Sequence, residues 1–207
     1  MDIVGSVNGV LKKVPAWPLY MVGAAYAGWQ FYLAVTGGLP GGGRWVDPVN
    51  QLEREYGAMA LKLIIAVLLV TPLRKYLGLN LLKFRRAIGV IAFFLVLAHF
   101  MVWALLDVGS LGRVWADIIK RPYVTIGMGA FVLMLPLAVT SNNLALRRIG
   151  GMAWRNLHKL TYPVAILAGV HYVWLTKVWE AEPLIYLTII LGLLATRVRL
   201  PKRQVIA

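Results

Sequence analysis

Ala87-Ile-Gly-Val-Ile-Ala-Phe-Phe-Leu-Val-Leu-Ala-His99-Phe-Met-Val-Trp-Ala-Leu-Leu106 runs for twenty residues without a charge. At about 1.5 Å per helical residue it is about 30 Å long, the thickness of a bilayer's hydrocarbon core. It therefore reads as a membrane-spanning helix, and it carries one ligating side chain, His99, twelve residues from its start. Working outward, five more stretches have this character: Val14–Val35, Tyr56–Thr71, Tyr123–Thr140, His158–Thr176 and Pro183–Thr196. Together they predict an all-α membrane protein, a six-transmembrane-helix bundle forming one domain over residues 1–207. The shortest two, Tyr56–Thr71 and Pro183–Thr196, fall below the usual span length. Val14–Val35 follows Lys12 and Lys13, as a signal peptide's apolar core would. It is longer than such a core and has no A-x-A site, so it is read as an uncleaved first span. A hydrophobic fraction of 60% and a mean hydropathy of +0.72 agree.

The net charge of +14 is distributed by topology. Six spans put the N-terminus, the loops after spans two and four and the C-terminus on one side. That side holds Lys12 and Lys13, then Arg74, Lys75, Lys83, Arg85 and Arg86, then Arg147, Arg148, Arg155 and Lys159, then Arg197, Arg199, Lys202 and Arg203. The other side holds Arg44, Arg54, Arg113, Lys120, Arg121 and Lys177, with Lys62 inside span two. The positive-inside rule sets both termini in the cytoplasm. All acidic residues but Asp2 fall on the outer side. The basic excess thus reflects orientation in a lipid bilayer and attraction to anionic lipid, not nucleic-acid binding.

There is no cysteine, which excludes iron–sulfur ligation, covalent haem attachment through C-x-x-C-H, disulfides and thiol redox chemistry. The outer loop that begins at Thr36 contains the glycine-rich segment from Gly37 to Gly43, which has little packing capacity. The second outer loop places Leu111, Val114, Trp115, Ile118 and Ile119 at helical spacing, as in a short helix lying in the interface. A docking surface for an external partner is the alternative. Trp17, Trp45, Trp115, Trp154 and Trp179 sit near span boundaries as an aromatic belt.

The chain's three histidines, His99, His158 and His171, all lie in these apolar stretches. Spans three and five both run outward, and His99 and His171 each sit about 18–20 Å from the cytoplasmic end. Two imidazoles at matching depth on two helices are the arrangement that holds one haem iron from both faces. Ala92, two turns below His99, and Ala168, one turn below His171, leave room for a macrocycle. His158 lies about 20 Å lower, and its depth-matched partner on span three is Arg86. Arginine does not ligate iron but suits a haem propionate or a flavin phosphate. On a straight helix His158 and His171 point about 140° apart, and Pro163 between them is a candidate kink. A membrane histidine otherwise hydrogen-bonds a neighbouring helix or lines a proton path. Lys62 is read as snorkelling toward the outer interface.

Arg85-Arg86-Ala-Ile-Gly89, Leu137-Ala-Val-Thr140-Ser141, Thr71-Pro72-Leu73-Arg74 and Trp154-Arg-Asn-Leu157-His158-Lys159-Leu160-Thr161-Tyr162, followed by His171-Tyr172, together resemble the ferric-reductase-like transmembrane family. Within it they are similar to haem-binding membrane subunits that serve a periplasmic methionine sulfoxide reductase. The resemblance implies a b-type cytochrome of the bacterial inner membrane. It would carry electrons from the quinone pool or a cytosolic flavin reductase to a periplasmic molybdopterin enzyme that repairs oxidised methionines.

It also implies haem b at His99 and His171, a second cofactor near His158, and FMN as a further cofactor. Arg85, Arg86 and Arg155 become candidates for propionates or flavin phosphate, their other role being topology. Related oxidases carry two histidines on each of two helices, whereas Arg86 stands here where the fourth is expected. Only a short basic tail follows span six, so the electron source is expected to be a separate molecule. The alternative function is a ferric or metal-chelate reductase using the same haem path. A proton-coupled transporter is disfavoured by the lack of repeated halves, and a chromophore-free anchor by the depth-matched histidines.

Overall fold

The computed structural model describes residues 3–37, 45–175 and 180–197. The glycine run 38–43, Thr176, Lys177, Trp179, and the tail residues Arg199, Lys202 and Arg203 lie outside them. The elements among the described residues are all helical: α1 (Ile3–Lys13), α2 (Trp17–Thr36), α3 (Pro48–Leu77), α4 (Leu82–Met101), α5 (Leu111–Lys120), α6 (Pro122–Val139), α7 (Asn143–Ile149), α8 (Gly151–Leu157), α9 (Thr161–Leu175) and α10 (Ala181–Ala195). A π-turn over Val102–Asp107 extends α4, and a 3₁₀ turn over His158–Leu160 joins α8 to α9.

The boundaries follow from local chemistry. At the start of α3, extended Asp47 accepts the Asn50 N–H at 3.1 Å. Pro48 fills the first helical position, where a missing N–H costs no ladder bond. Gly78, at φ 71°, closes the helix in the left-handed region. The resulting helix has 30 residues, much longer than Tyr56–Thr71. Glu53, Arg54 and Glu55 before that stretch, and Arg74 and Lys75 after it, limit what can lie in hydrocarbon. They do not stop a helix, because long charged side chains are good helix formers. Near its end Pro72 leaves the Leu68 carbonyl without its usual donor. Arg197, just beyond α10, supplies one through Nη2 at 2.5 Å.

Among the described residues three helical segments are long and apolar enough to cross a membrane: Pro48–Leu77, Leu82–Asp107 and Pro122–Val139. Ala181–Ala195 is apolar but shorter. Their outward faces expose Phe94, Leu105, Val132, Ile185 and Leu191, as a surface solvated by lipid allows. Inside, Leu61, Ile64 and Leu68 of α3 meet Ala92 of α4, Met134 of α6, Val164 and Ala165 of α9 and Ile190 of α10. A second cluster joins Leu52, Tyr56 and Ala60 of α3 to Leu95 and Val102, with Tyr26 and Ala27 of α2 packed against it.

Two features depart from the sequence reading. Helix α1 precedes α2 and is tied to the α3–α4 turn. Asn8 Nδ2 donates to the Gly78 carbonyl at 2.9 Å, its Oδ1 accepts from Asn80 N–H at 2.9 Å, and Lys83 Nζ donates to the Lys12 carbonyl at 2.8 Å. Moreover, His158 and His171 do not share one α-helix, since the 3₁₀ turn intervenes. Pro163 falls in the first turn of α9, where it needs no i−4 acceptor and makes no mid-helix kink. The outer-loop helix is present as α5, with Val114 buried and Leu111, Trp115 and Ile119 exposed along one face.

Candidate functional site

His99 and His171 face each other across the bundle, their ring centroids 6.3 Å apart and their planes crossed at 81°. Each ring is held in the same way. His99 Nδ1 lies 2.8 Å from the carbonyl oxygen of Glu53, and His171 Nδ1 lies 2.7 Å from that of Tyr123. A carbonyl only accepts, so Nδ1 carries the proton in both rings and each Nε2 is left with its lone pair free. Among the described residues neither Nε2 has a hydrogen-bond partner.

The carbonyls they use belong to helices, and their ladder donors are the residues four further on, Gly57 in α3 and Gly127 in α6. A Cβ on Gly57 would come within 3.1 Å of His99 Nδ1, and one on Gly127 within 2.8 Å of His171 Nδ1. Glycine at these two positions is what lets an imidazole reach the helix backbone. The second lone pair of each carbonyl is therefore the anchor, and glycine is the opening to it.

Both histidines line a cavity of about 740 Å³, within the range of cofactor sites. Its walls are apolar and aromatic, including Val96, Phe100, Trp103, Phe131 and Met134. One mouth is polar, with Gln51, Glu53, Arg54, Glu55, Glu180 and Glu182. There Gln51 Nε2 donates to Glu55 Oε1 at 3.1 Å, and Arg54 Nε donates to Asn50 Oδ1 at 3.0 Å. Trp103 enters the wall from the π-turn, a distortion common at functional sites. Ala168 lines the cavity, whereas Ala92 is packed in the core beneath it.

Among the described residues no group of three or more His, Cys, Asp or Glu side chains could hold a metal ion. Two lone pairs do not complete a coordination sphere. A metal gripped here has to bring its remaining ligands with it, as a metallated macrocycle does. The ring spacing agrees, because two imidazole–metal bonds of about 2 Å, each extended by about 1 Å to the ring centre, give about 6 Å.

The family model for the ferric reductase like transmembrane component matches residues 56–169. Curated relatives from Brucella ovis, Brucella canis and Brucella suis are each 43% identical over 197 residues, covering 92% of this chain and 87% of the relative. Each is named protein-methionine-sulfoxide reductase heme-binding subunit MsrQ. The chain belongs to the ferric-reductase-like transmembrane family, among the MsrQ subunits. No solved structure matches it.

The other residues singled out from the sequence lie elsewhere. His158 stacks on Trp154 with ring centroids 3.7 Å apart, and its Nε2 is 3.2 Å from Thr140 Oγ1. Thr140 directs its hydroxyl proton to the Pro136 carbonyl at 2.6 Å, so His158 Nε2 is the donor of that pair. Trp154 Nε1 fixes the arrangement by donating to the Thr140 carbonyl at 2.8 Å. Thr140 is seventeen residues along from Tyr123, about 25 Å away on α6. Arg85 and Arg86 are within Coulombic reach of His158. Arg86 Nη1 donates to Asn143 Oδ1 at 2.7 Å, and Arg155 is exposed on α8.

None of these three arginines lines the cavity, whose cations are Arg54 and Lys62. The sequence reading did not single out Arg54, Gly57, Gly127 or the two anchoring carbonyls. A lone glycine inside an apolar helix does signal close backbone approach. Gly57 and Gly127 carry that signal, yet so do Gly89 and Gly169, and only the fold tells which ones face a histidine.

Proposed function

We propose that the protein is a b-type cytochrome that carries electrons across the bacterial inner membrane to the periplasmic molybdopterin-dependent methionine sulfoxide reductase MsrP. The observation that carries this reading is the His99–His171 pair, two deprotonated Nε2 atoms turned toward one apolar cavity. Membership among the MsrQ subunits, whose curated relatives are named for heme binding, supports haem as the occupant. Haem b, when bound, supplies the one-electron chemistry.

The chain's own residues do the rest. Glu53 and Tyr123 fix the Nδ1–H tautomer through their carbonyls, which leaves each imidazole a neutral σ-donor and raises its basicity. Phe100, Phe131 and Met134 keep the cavity wall dry, which limits the reorganisation a charge change demands of the surroundings. Arg54 and Lys62 are the cations available to the haem carboxylates at that cavity.

In this reading the bundle has six spans with both termini cytoplasmic, and the histidine pair lies toward the periplasm. Two structural facts support it. Helix α1 and Arg197 occur at the same end of the bundle, and the described acidic side chains cluster at the other. Electrons enter from the quinone pool or a cytosolic flavin reductase. A second cofactor, haem or FMN, belongs near His158, with Arg85, Arg86 and Arg155 as its phosphate or propionate partners.

The test is the optical spectrum and haem and flavin stoichiometry of the purified protein, followed by reconstitution. A bis-histidine low-spin spectrum lost in His99→Ala and in His171→Ala is the expected result, and its retention in both variants overturns the assignment. The family match also supports a ferric-chelate reductase as the second reading. Reduced protein that transfers electrons to ferric chelate and not to the molybdoenzyme would select it.

A further inference from the structure

Arg197 is placed in a way that its role as a donor to the Leu68 carbonyl does not exhaust. Its Nη1 donates to the Tyr162 hydroxyl oxygen, Oη, at 3.0 Å, and its guanidinium lies 5.0 Å from the centre of that ring. Its Nε is buried with no partner, the only such side-chain atom among the described residues. Arg85, half-buried on α4, is within Coulombic reach of both Arg197 and Tyr162. Arg85, at the start of α4, and Arg197, just past α10, thus share the end of the bundle opposite the histidine pair, where Arg197 is held against α3 and α9 by Leu68 and Tyr162.

Among the described residues no carboxylate faces them. The described acidic residues Asp47, Glu53, Glu55, Asp107, Asp117, Glu180 and Glu182 all flank the other ends of these helices. The single ion pair among the described residues, Arg121 with Asp117, is also at that far end. Paired cations at a partly buried site repel each other and are costly to desolvate, so they call for an anion. Exposed lysines and arginines elsewhere on this end are screened by water and need none.

We propose that Arg85 and Arg197, with the Tyr162 hydroxyl, form a binding site for a phosphate-bearing anion at this end of the bundle. A phosphate oxygen would take the unpartnered Arg197 Nε–H and neutralise both guanidiniums, a planar donor fork being well matched to such a group. The source is either the headgroup of an anionic phospholipid or a free phosphate ester. The site does not rest on haem binding at His99 and His171; because Arg85 is also the proposed phosphate partner of a second cofactor near His158, a free ester bound here deepens that reading, whereas a lipid headgroup takes Arg85 away from it.

The test uses the full chain, purified and stripped of lipid in neutral detergent, with thermal unfolding followed by tryptophan fluorescence. One arm titrates phosphatidylglycerol against phosphatidylcholine, and the other titrates inorganic phosphate and FMN against chloride at equal ionic strength. Preferential stabilisation by phosphatidylglycerol alone identifies a headgroup, and stabilisation by phosphate or FMN without lipid identifies a free ester. Arg85→Gln is expected to weaken the response about tenfold or more, the loss of one charge-assisted contact. Arg197→Lys, which keeps the charge but not the Nε–H, is expected to weaken it as well. If neither anion stabilises the wild type beyond its control, or Arg85→Gln responds as the wild type does, the site is refuted. The Soret band of the same samples is the separate readout: its loss speaks against the histidine-pair reading and not against this one.

Discussion

Replacing Gly127 by alanine adds one methyl group at the point where His171 reaches the α6 backbone. The new Cβ would stand 2.8 Å from Nδ1 and 2.9 Å from Cε1 of the ring, where ordinary contact begins near 3.4 Å. The imidazole therefore has to move by about half an ångström, against a 2.7 Å hydrogen bond to Tyr123 that holds it from the same side. Overpacking of this kind costs about 1–3 kcal/mol, and pushing a side chain off its rotamer about 0.5–1.5 kcal/mol. Against this, alanine favours the helix by up to about 1 kcal/mol over glycine. The net penalty on holding the ring in place is about 1–3 kcal/mol, or about 5- to 150-fold in ligand affinity.

The assay is haem titration of the apoprotein read at the Soret band, run beside Gly57→Ala and Gly28→Ala. At Gly57 the approach is 3.1 Å, so a smaller loss is expected, whereas a Cβ on Gly28 meets nothing within 4 Å and its substitution is expected to leave affinity unchanged. The order Gly127→Ala, then Gly57→Ala, then Gly28→Ala is the signature of the geometry. Equal affinities in all three variants, with folding intact, would refute the idea that glycine opens the backbone to the histidines.

The same geometry sets other expectations. The 81° crossing of the imidazole planes lets both iron π-type orbitals interact with a ligand, so the oxidised haem should give a strongly anisotropic low-spin electron paramagnetic resonance signal; the more rhombic signal of parallel planes would contradict it. His158→Ala should leave that signal and the pair's optical spectrum intact, because His158 is bonded to Thr140, about 25 Å along α6 from Tyr123. Loss of the low-spin spectrum in this variant would contradict the separation. Arg197→Gln should cost about 1–3 kcal/mol by orphaning the Leu68 carbonyl, and clearly less in a Pro72→Ala background, where the helix N–H is restored. Additive effects in the double mutant would mean that Arg197 does not serve that carbonyl.

The helices were legible in the sequence because apolar length is a strong signal in a chain built for lipid. Span four, read as Tyr123–Thr140, is the helix Pro122–Val139, and span six, read as Pro183–Thr196, is Ala181–Ala195. Span two, read as Tyr56–Thr71, lies inside the longer helix α3, because charges bound a span without ending a helix, and the eleven residues of α1 are too few to be read as a span. The juxtaposition of His99 with His171 followed from residue counting alone, since two helices running the same way put equal residue counts at equal heights. Rotation about the helix axis is not fixed by depth. For that reason the partners of the rings, the place of His158 and the cations lining the cavity could not be read in advance. Arg54 looked like a boundary charge until α3 was seen to carry it to the cavity mouth.

The choice of anchor for the two imidazoles has a physical reason. Metal-binding histidines often donate their second N–H to a carboxylate, which fixes the ring and adds electron density. A carboxylate at membrane depth costs several kcal/mol of desolvation unless it is paired, and the described carboxylates lining this cavity gather at its polar mouth. A helix carbonyl already satisfied by its ladder N–H still has a second lone pair, and using it buries no new charge. The cost is steric, since any Cβ at the residue four further on would block the approach. Glu53 with Gly57 and Tyr123 with Gly127 meet that condition twice, on two different helices. It follows that a longer side chain at Gly57 or Gly127 should not be rescued by adding a carboxylate nearby, because the missing element is space at the backbone and not an acceptor.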